Sequence, residues 1–172
     1  MDQPTKILSI LEKTHPDAGC ALNHKNALEL LVATVLAAQC TDERVNQVTQ
    51  KLFIKYKTAK DYADAQLPAL EQDIHSTGFY KAKAKSIHGI GKALVKNHKG
   101  KVPQTLDAMV QLPGVGRKTA NVVLGVCFNT PGIIVDTHFK RITTRLGLTK
   151  ETNPGKIEQD LMKLVPQSQW TR

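Results

Sequence analysis

The string Leu112-Pro113-Gly114-Val115-Gly116-Arg117-Lys118-Thr119-Ala120-Asn121-Val122-Val123-Leu124-Gly125-Val126 decides the reading of this chain. Pro113-Gly114-Val115-Gly116 is a tight turn, and the apolar run behind it marks a new helix whose first turn carries Arg117, Lys118 and Thr119. Two glycines let a phosphate oxygen approach the backbone without meeting a Cβ. The helix start adds outward N–H groups and the positive end of the macrodipole. The string is therefore a candidate anion site.

Upstream, residues 105–111 predict a short helix with Thr105 as N-cap and apolar residues at 106, 109, 110 and 112. The unit is helix, hairpin, helix. Two other glycine-rich phosphate loops are excluded. A P-loop needs glycines where Arg117 and Leu112 stand, and the dinucleotide fingerprint needs one where Thr119 stands. A turn that merely reverses two packed helices remains an alternative on these residues alone.

The 172 residues suffice for one ample core or two small lobes, with 41% hydrophobic and 5% aromatic content suiting close-packed aliphatic helices. Lys and Arg total 24 against 15 acids, a formal charge of +9. That excess favours a polyanionic partner, nucleic acid being the commonest, over a merely cationic surface. Cys20, Cys40 and Cys127 are odd in number and lack Cys-x-x-Cys spacing, and the histidines form no His-x-x-x-His pair. They predict reduced thiols in an intracellular protein and no metal site. No stretch predicts a signal peptide or a bilayer span, so no membrane partner is expected, and a bacterial source would place the chain in cytoplasm or nucleoid.

In chain order, residues 4–14 form a short amphipathic helix, and 26–38 is apolar around most of its circumference, a core helix. Thr41 or Asp42 caps the next helix, about 42–56, so Gln39 sits at the mouth of the core helix. A polar segment, 57–65, leads to a helix at 67–76 ending at Gly78. Phe79 precedes a long helix over 80–98. Its lysines 81, 85, 92, 96 and 99 stack as one basic stripe, with Ile87, Ile90 and Leu94 opposite, and most of that stripe is a solvated face. Gly89 and Gly91 lie inside the periodic pattern and serve close helix packing rather than a second hairpin. After the turn at 129–132 and the extended segment 133–135, Asp136 caps a helix with Phe139, Ile142 and Leu146 inward. Asn153-Pro154 opens the last helix. The fold class is all-α, about nine helices.

Two side chains carry candidate chemistry. Lys118 meets the positive end of a helix dipole beside Arg117, which suits a nucleophilic, Schiff-base-forming amine; a phosphate-binding cation is the other role open to it. Asp136 lies a helix and a turn further on, and its residue type alone accounts for a cap and nothing more.

Three separated strings resolve these alternatives. The run 112–123, Ala38-Gln39-Cys40-Thr41-Asp42 and Val135-Asp136-Thr137-His138 together resemble the endonuclease III family of DNA glycosylases. The resemblance covers residues from about 20 to 165. It implies a six-helix barrel lobe over 21–130 with the helix-hairpin-helix at 105–128, a second lobe from residues 1–20 and 131–172, and double-stranded DNA in the cleft between. It implies a monomeric base-excision enzyme that removes oxidised pyrimidines and cleaves the strand by β-elimination, with Lys118 as nucleophile and Asp136 as its carboxylate partner. Gln39 would fill the gap left by the extruded nucleotide, and Phe79, where the family commonly has Leu, would wedge into the opposite strand. Leu112, Gly114, Val115, Gly116, Arg117 and Thr119 would bind the DNA backbone. Adenine DNA glycosylases share the hairpin and the Asp but lack this Lys, which argues against them.

The resemblance departs at the C-terminus. The family continues with a helix and four closely spaced cysteines that bind a [4Fe–4S] cluster, whereas this chain ends at Trp170-Thr171-Arg172. The expectation is a truncated or cluster-less form with no cofactor of its own. Rival readings are a non-catalytic DNA-binding module or inactive fragment, and an 8-oxoguanine glycosylase-lyase.

Overall fold

The computed structural model describes residues 3–170, and among them the regular structure is helical throughout. The helices are α1 (Gln3–Thr14), α2 (Ala27–Leu36), α3 (Asp42–Lys55), α4 (Ala59–Asp64), α5 (Leu67–Asp73), α6 (Tyr80–His98), α7 (Leu106–Met109), α8 (Arg117–Phe128), α9 (Thr137–Arg145) and α10 (Pro154–Leu164), with 3-10 turns at His75–Thr77 and Gln167–Gln169. The all-α expectation holds, with one helix more than the periodicity predicts. The addition is α4, inside the segment read as merely polar. Thr58 and Asp61 build a reciprocal capping box there: the Thr58 hydroxyl accepts from the Asp61 amide at 3.2 Å, and the Asp61 carboxylate accepts from the Thr58 amide at 2.8 Å. Six residues are too few for hydrophobic periodicity to register.

Chain contacts define two compact units, Ala21–Val123 and Met1–Cys20 with Leu124–Arg172. The boundary falls inside α8, whereas the resemblance implies one at residue 130.

The first unit is built on α2. Asn26 caps it, accepting from the Glu29 amide at 3.0 Å, and six of its ten residues are buried, as its unbroken apolarity predicts. Each fully buried Leu there contributes roughly 1.5–3 kcal/mol. Ile87, Ile90 and Leu94 of α6 join Leu52, Leu70, Ile74 and Met109 in the same core. The glycines of α6 act as spacers. A Cβ on Gly91 would lie 2.6 Å from the Ala63 amide nitrogen, so only glycine lets α6 lie this close to α4. Two residues earlier, about half a turn round the helix, a Cβ on Gly89 would meet Pro113 of the hairpin at 3.1 Å. Buried Tyr62 stacks on Tyr56 with ring centroids 5.1 Å apart, and its hydroxyl finds no hydrogen-bond partner among the described residues.

The second unit has its own core, Ile133, Ile157 and Leu161, against which Val135, Phe139, Leu148, Met162, Val165 and Trp170 pack. The Trp170 indole donates to the Val165 carbonyl at 2.8 Å, and the Gln3 side-chain amide donates to the Leu146 carbonyl at 3.0 Å, tying α1 to the end of α9. One expectation fails. Phe139 turns inward, but Ile142 is 51% and Leu146 37% exposed. Periodicity identifies an apolar face and says nothing of what covers it. The described residues leave this one uncovered.

Candidate active site

Thr105 caps α7 as its residue type predicts, accepting from the Ala108 amide, but α7 is a single turn and ends at Met109. The chain then folds back through two bonds of its own, the Leu112 amide to the Met109 carbonyl and the Val115 amide to the Leu112 carbonyl, both at 3.1 Å. Leu112 and Val115 are buried. Their side chains and amides are thus committed inside the hairpin. They are its core, and the outward positions lie between and after them.

Those positions are Gly114, Gly116, Arg117 and Lys118, all exposed, with Thr119 half-buried behind them. Gly114 holds the left-handed backbone, φ 73°, and backs onto Ser86 of α6. Gly116 differs. Its φ is not left-handed, and a Cβ built there would meet nothing within 4 Å. The folded chain does not require glycine at that position, whereas a partner lying against it would. Immediately beyond, α8 begins with Arg117 and Lys118, and the Ala120 amide returns to the Gly116 carbonyl at 3.0 Å. First-turn N–H groups point along the helix axis toward the hairpin, and together with the two cations they favour an anion there.

Gln39 and Phe79, also in this unit, share an unusual feature. Both hold left-handed backbone without being glycine, at φ 54° and φ 49°. Gln39 follows the C-terminus of α2, Phe79 is the N-cap position of α6, and both side chains are exposed, Phe79 at 67%. Such backbone costs of order 1 kcal/mol or more and persists where the surroundings hold it. One surrounding group is a residue that the sequence reading passed over. Lys83 is only 5% exposed, and its ammonium donates to the Leu36 carbonyl at 2.8 Å and the Thr77 carbonyl at 2.7 Å. The signal was its register: positions 83, 87, 90 and 94 form the buried stripe of α6, and Lys83 is a cation standing in an apolar row. Burial holds its ammonium below the ordinary lysine value, with nearby Cys40 opposing. The stripe of Lys81, Lys85, Lys92, Lys96 and Lys99 is exposed, as expected of a solvated face.

Asp136 belongs to the other unit and is the N-cap of α9: its Oδ1 accepts from the Phe139 amide at 2.8 Å. The carboxylate is half-buried and locally oriented by that bond.

Residues 32–167 match the profile of the HhH-GPD superfamily of base excision DNA repair proteins, and the chain belongs to that superfamily. Within it, the chain is 52% identical over 167 residues to endonuclease III of Synechocystis sp., covering 96% of this chain and 76% of that protein. It is 48% identical over 157 residues to endonuclease III of Bacillus subtilis, covering 91% and 72%. Its fold superposes on a trapped endonuclease III–DNA covalent intermediate with a TM-score of 0.94 at 46% identity, over 99% of this chain and 82% of that one. A non-covalent endonuclease III–DNA complex gives 0.93 at 45%, with the same coverage. The chain is a member of the endonuclease III family.

The cluster of the family that this chain resembles is held by four cysteine thiolates. None of Cys20, Cys40 and Cys127 is in a disulfide, and among the described residues no three His, Cys, Asp or Glu side chains converge as a metal site. These residues do not fit a four-thiolate cluster. No helix of the described residues is long and apolar enough to cross a membrane.

Proposed function

We propose that this chain excises oxidised pyrimidines from duplex DNA and then nicks the strand by β-elimination, acting as a monomer inside the cell, where the DNA is. The observation that carries the reading is the pairing of an open-sided glycine at 116 with an exposed amine two residues on, at Lys118. A phosphate of the damaged strand lies against Gly114, Gly116 and the start of α8, held by backbone amides and by Arg117 and Thr119 without readout of sequence. Gln39 and Phe79 enter the duplex as the damaged nucleotide turns out of the stack. The Lys118 nitrogen attacks C1′ as the bond from C1′ to the base breaks and the base leaves with the electron pair. Asp136 takes the amine proton or stabilises the positive charge that develops on the sugar. Opening of the sugar ring leaves an imine between Lys118 and C1′. The imine acidifies the C2′ proton, whose loss expels the 3′ phosphate and cuts the strand.

The test is borohydride trapping on duplexes containing thymine glycol, 8-oxoguanine or an abasic site, with Lys118→Ala alongside. The expected result is a covalent adduct with the thymine glycol and abasic duplexes, absent in Lys118→Ala. A stronger adduct with 8-oxoguanine would reassign the substrate to an oxidised purine. Salt-sensitive binding with no adduct on any duplex would replace the enzyme reading with that of a binding module.

A further inference from the structure

We propose that Lys83 is a positioning residue for base extrusion: its buried ammonium holds together the two loops that present Gln39 and Phe79. The proposal rests on the glycosylase reading above, in which those two side chains enter the duplex.

Leu36 is the last residue of α2, and its carbonyl is among those that a helix end leaves without an intrahelical partner. Thr77 ends the 3-10 turn that precedes Gly78, and it is itself pinned, its hydroxyl and amide both donating to the Ile74 carbonyl at 2.9 and 3.0 Å. The Lys83 ammonium bridges these two chain ends. Gln39 stands three residues beyond one contact and Phe79 two residues beyond the other. The cation therefore acts immediately upstream of both left-handed residues. Methionine would fill the buried row of α6 without the cost of desolvating a charge. What an ammonium adds is a bond to each of two otherwise separate segments. Lose it, and each loop relaxes independently into the commoner backbone region, carrying its inserting side chain off the position it needs.

The test is a double-mutant cycle. Lys83→Met is made in the wild-type chain and in a Gln39→Ala/Phe79→Ala background. Two rates are read: single-turnover excision of thymine glycol from duplex DNA, and borohydride trapping on a single-stranded abasic site, where no opposite strand has to be parted. In the wild-type chain Lys83→Met is expected to slow duplex excision by about tenfold or more while changing single-strand trapping by less than about twofold. In the doubly substituted background it is expected to add less than about twofold to the loss already present. Equal losses on the two substrates, or a full effect in both backgrounds, would make Lys83 a support of the fold alone and overturn the proposal. If Lys83→Met does not fold, Lys83→Arg, which keeps the charge but replaces a point donor with a planar fork, is carried through the same cycle. A wild-type chain that neither excises nor traps would sink the glycosylase reading and this proposal with it. An active wild type with an additive cycle sinks this proposal only.

Discussion

Ser86 of α6 stands directly behind Gly114 of the hairpin: a Cβ at Gly114 would lie 2.5 Å from the serine hydroxyl oxygen and 2.7 Å from its Cβ. The hairpin's two glycines therefore differ in surroundings, Gly114 backing onto the protein and Gly116 facing open space. Gly114→Ala must displace Ser86 and hold a Cβ at positive φ, so it is expected to cost about 2 kcal/mol of folding stability. Gly116→Ala is expected to leave stability within about 0.5 kcal/mol of wild type, yet to weaken DNA binding measurably. Thermal melts beside anisotropy titrations separate the two. Wild-type affinity in a folded Gly116→Ala chain would remove the phosphate from the hairpin.

Asp136 caps α9 and, in the proposed mechanism, also serves Lys118, and substitution can divide the two roles. Asparagine is as good an N-cap as aspartate, so Asp136→Asn is expected to keep stability within about 0.5 kcal/mol. Its excision rate should fall on the order of a hundredfold or more, the scale of losing a catalytic carboxylate. Asp136→Ala loses the cap as well, at about 1 kcal/mol. Near-normal excision by Asp136→Asn would reduce the residue to a cap.

Tyr62 buries a hydroxyl without a partner among the described residues, and burial pushes its pKa well above the ordinary phenol value. The ring packs and the oxygen does not help. Tyr62→Phe is therefore expected to stabilise the chain by on the order of 1 kcal/mol in urea melts, with catalysis unchanged. A destabilised phenylalanine variant would mean that the hydroxyl is satisfied in solution.

The capping box of α4 has a pH signature. Amide donors from Lys57 and Thr58 hold the Asp61 carboxyl below the ordinary aspartate value. A depressed folded value means that this stabilisation is complete above the unfolded aspartate range and is lost as pH falls through the folded value. Asp61→Ala should cost about 1 kcal/mol at pH 7. The gap between variant and wild type should close as urea melts are repeated down to about pH 3. A gap that stays constant across that range would leave the box without an ionic contribution.

What could be read from the sequence was what is local. The turn at 113–116, the caps Thr41, Thr105, Asp136 and Asn153 and the limits of α6 all depend on residues a few positions apart, and each is where its residue types imply. What escaped was set at a distance. Lys83 was passed over because its partners, the carbonyls of Leu36 and Thr77, are main-chain groups that every residue owns. The burial of Leu112 and Val115 escaped as well, since the hairpin string alone does not say which of its residues turn inward. Ile142 and Leu146 show the converse limit, since an amphipathic pattern carries no information about its cover.

The left-handed backbone at Gln39 and Phe79 bears on how this protein could be improved. Glycine would adopt either conformation more comfortably, and neither exposed side chain contributes burial worth keeping. A laboratory selection for heat resistance alone would thus drift toward glycine at both sites, gaining about 0.5–1 kcal/mol at each. Its winners would be sturdier catalysts on loose, single-stranded substrates and idle on paired DNA.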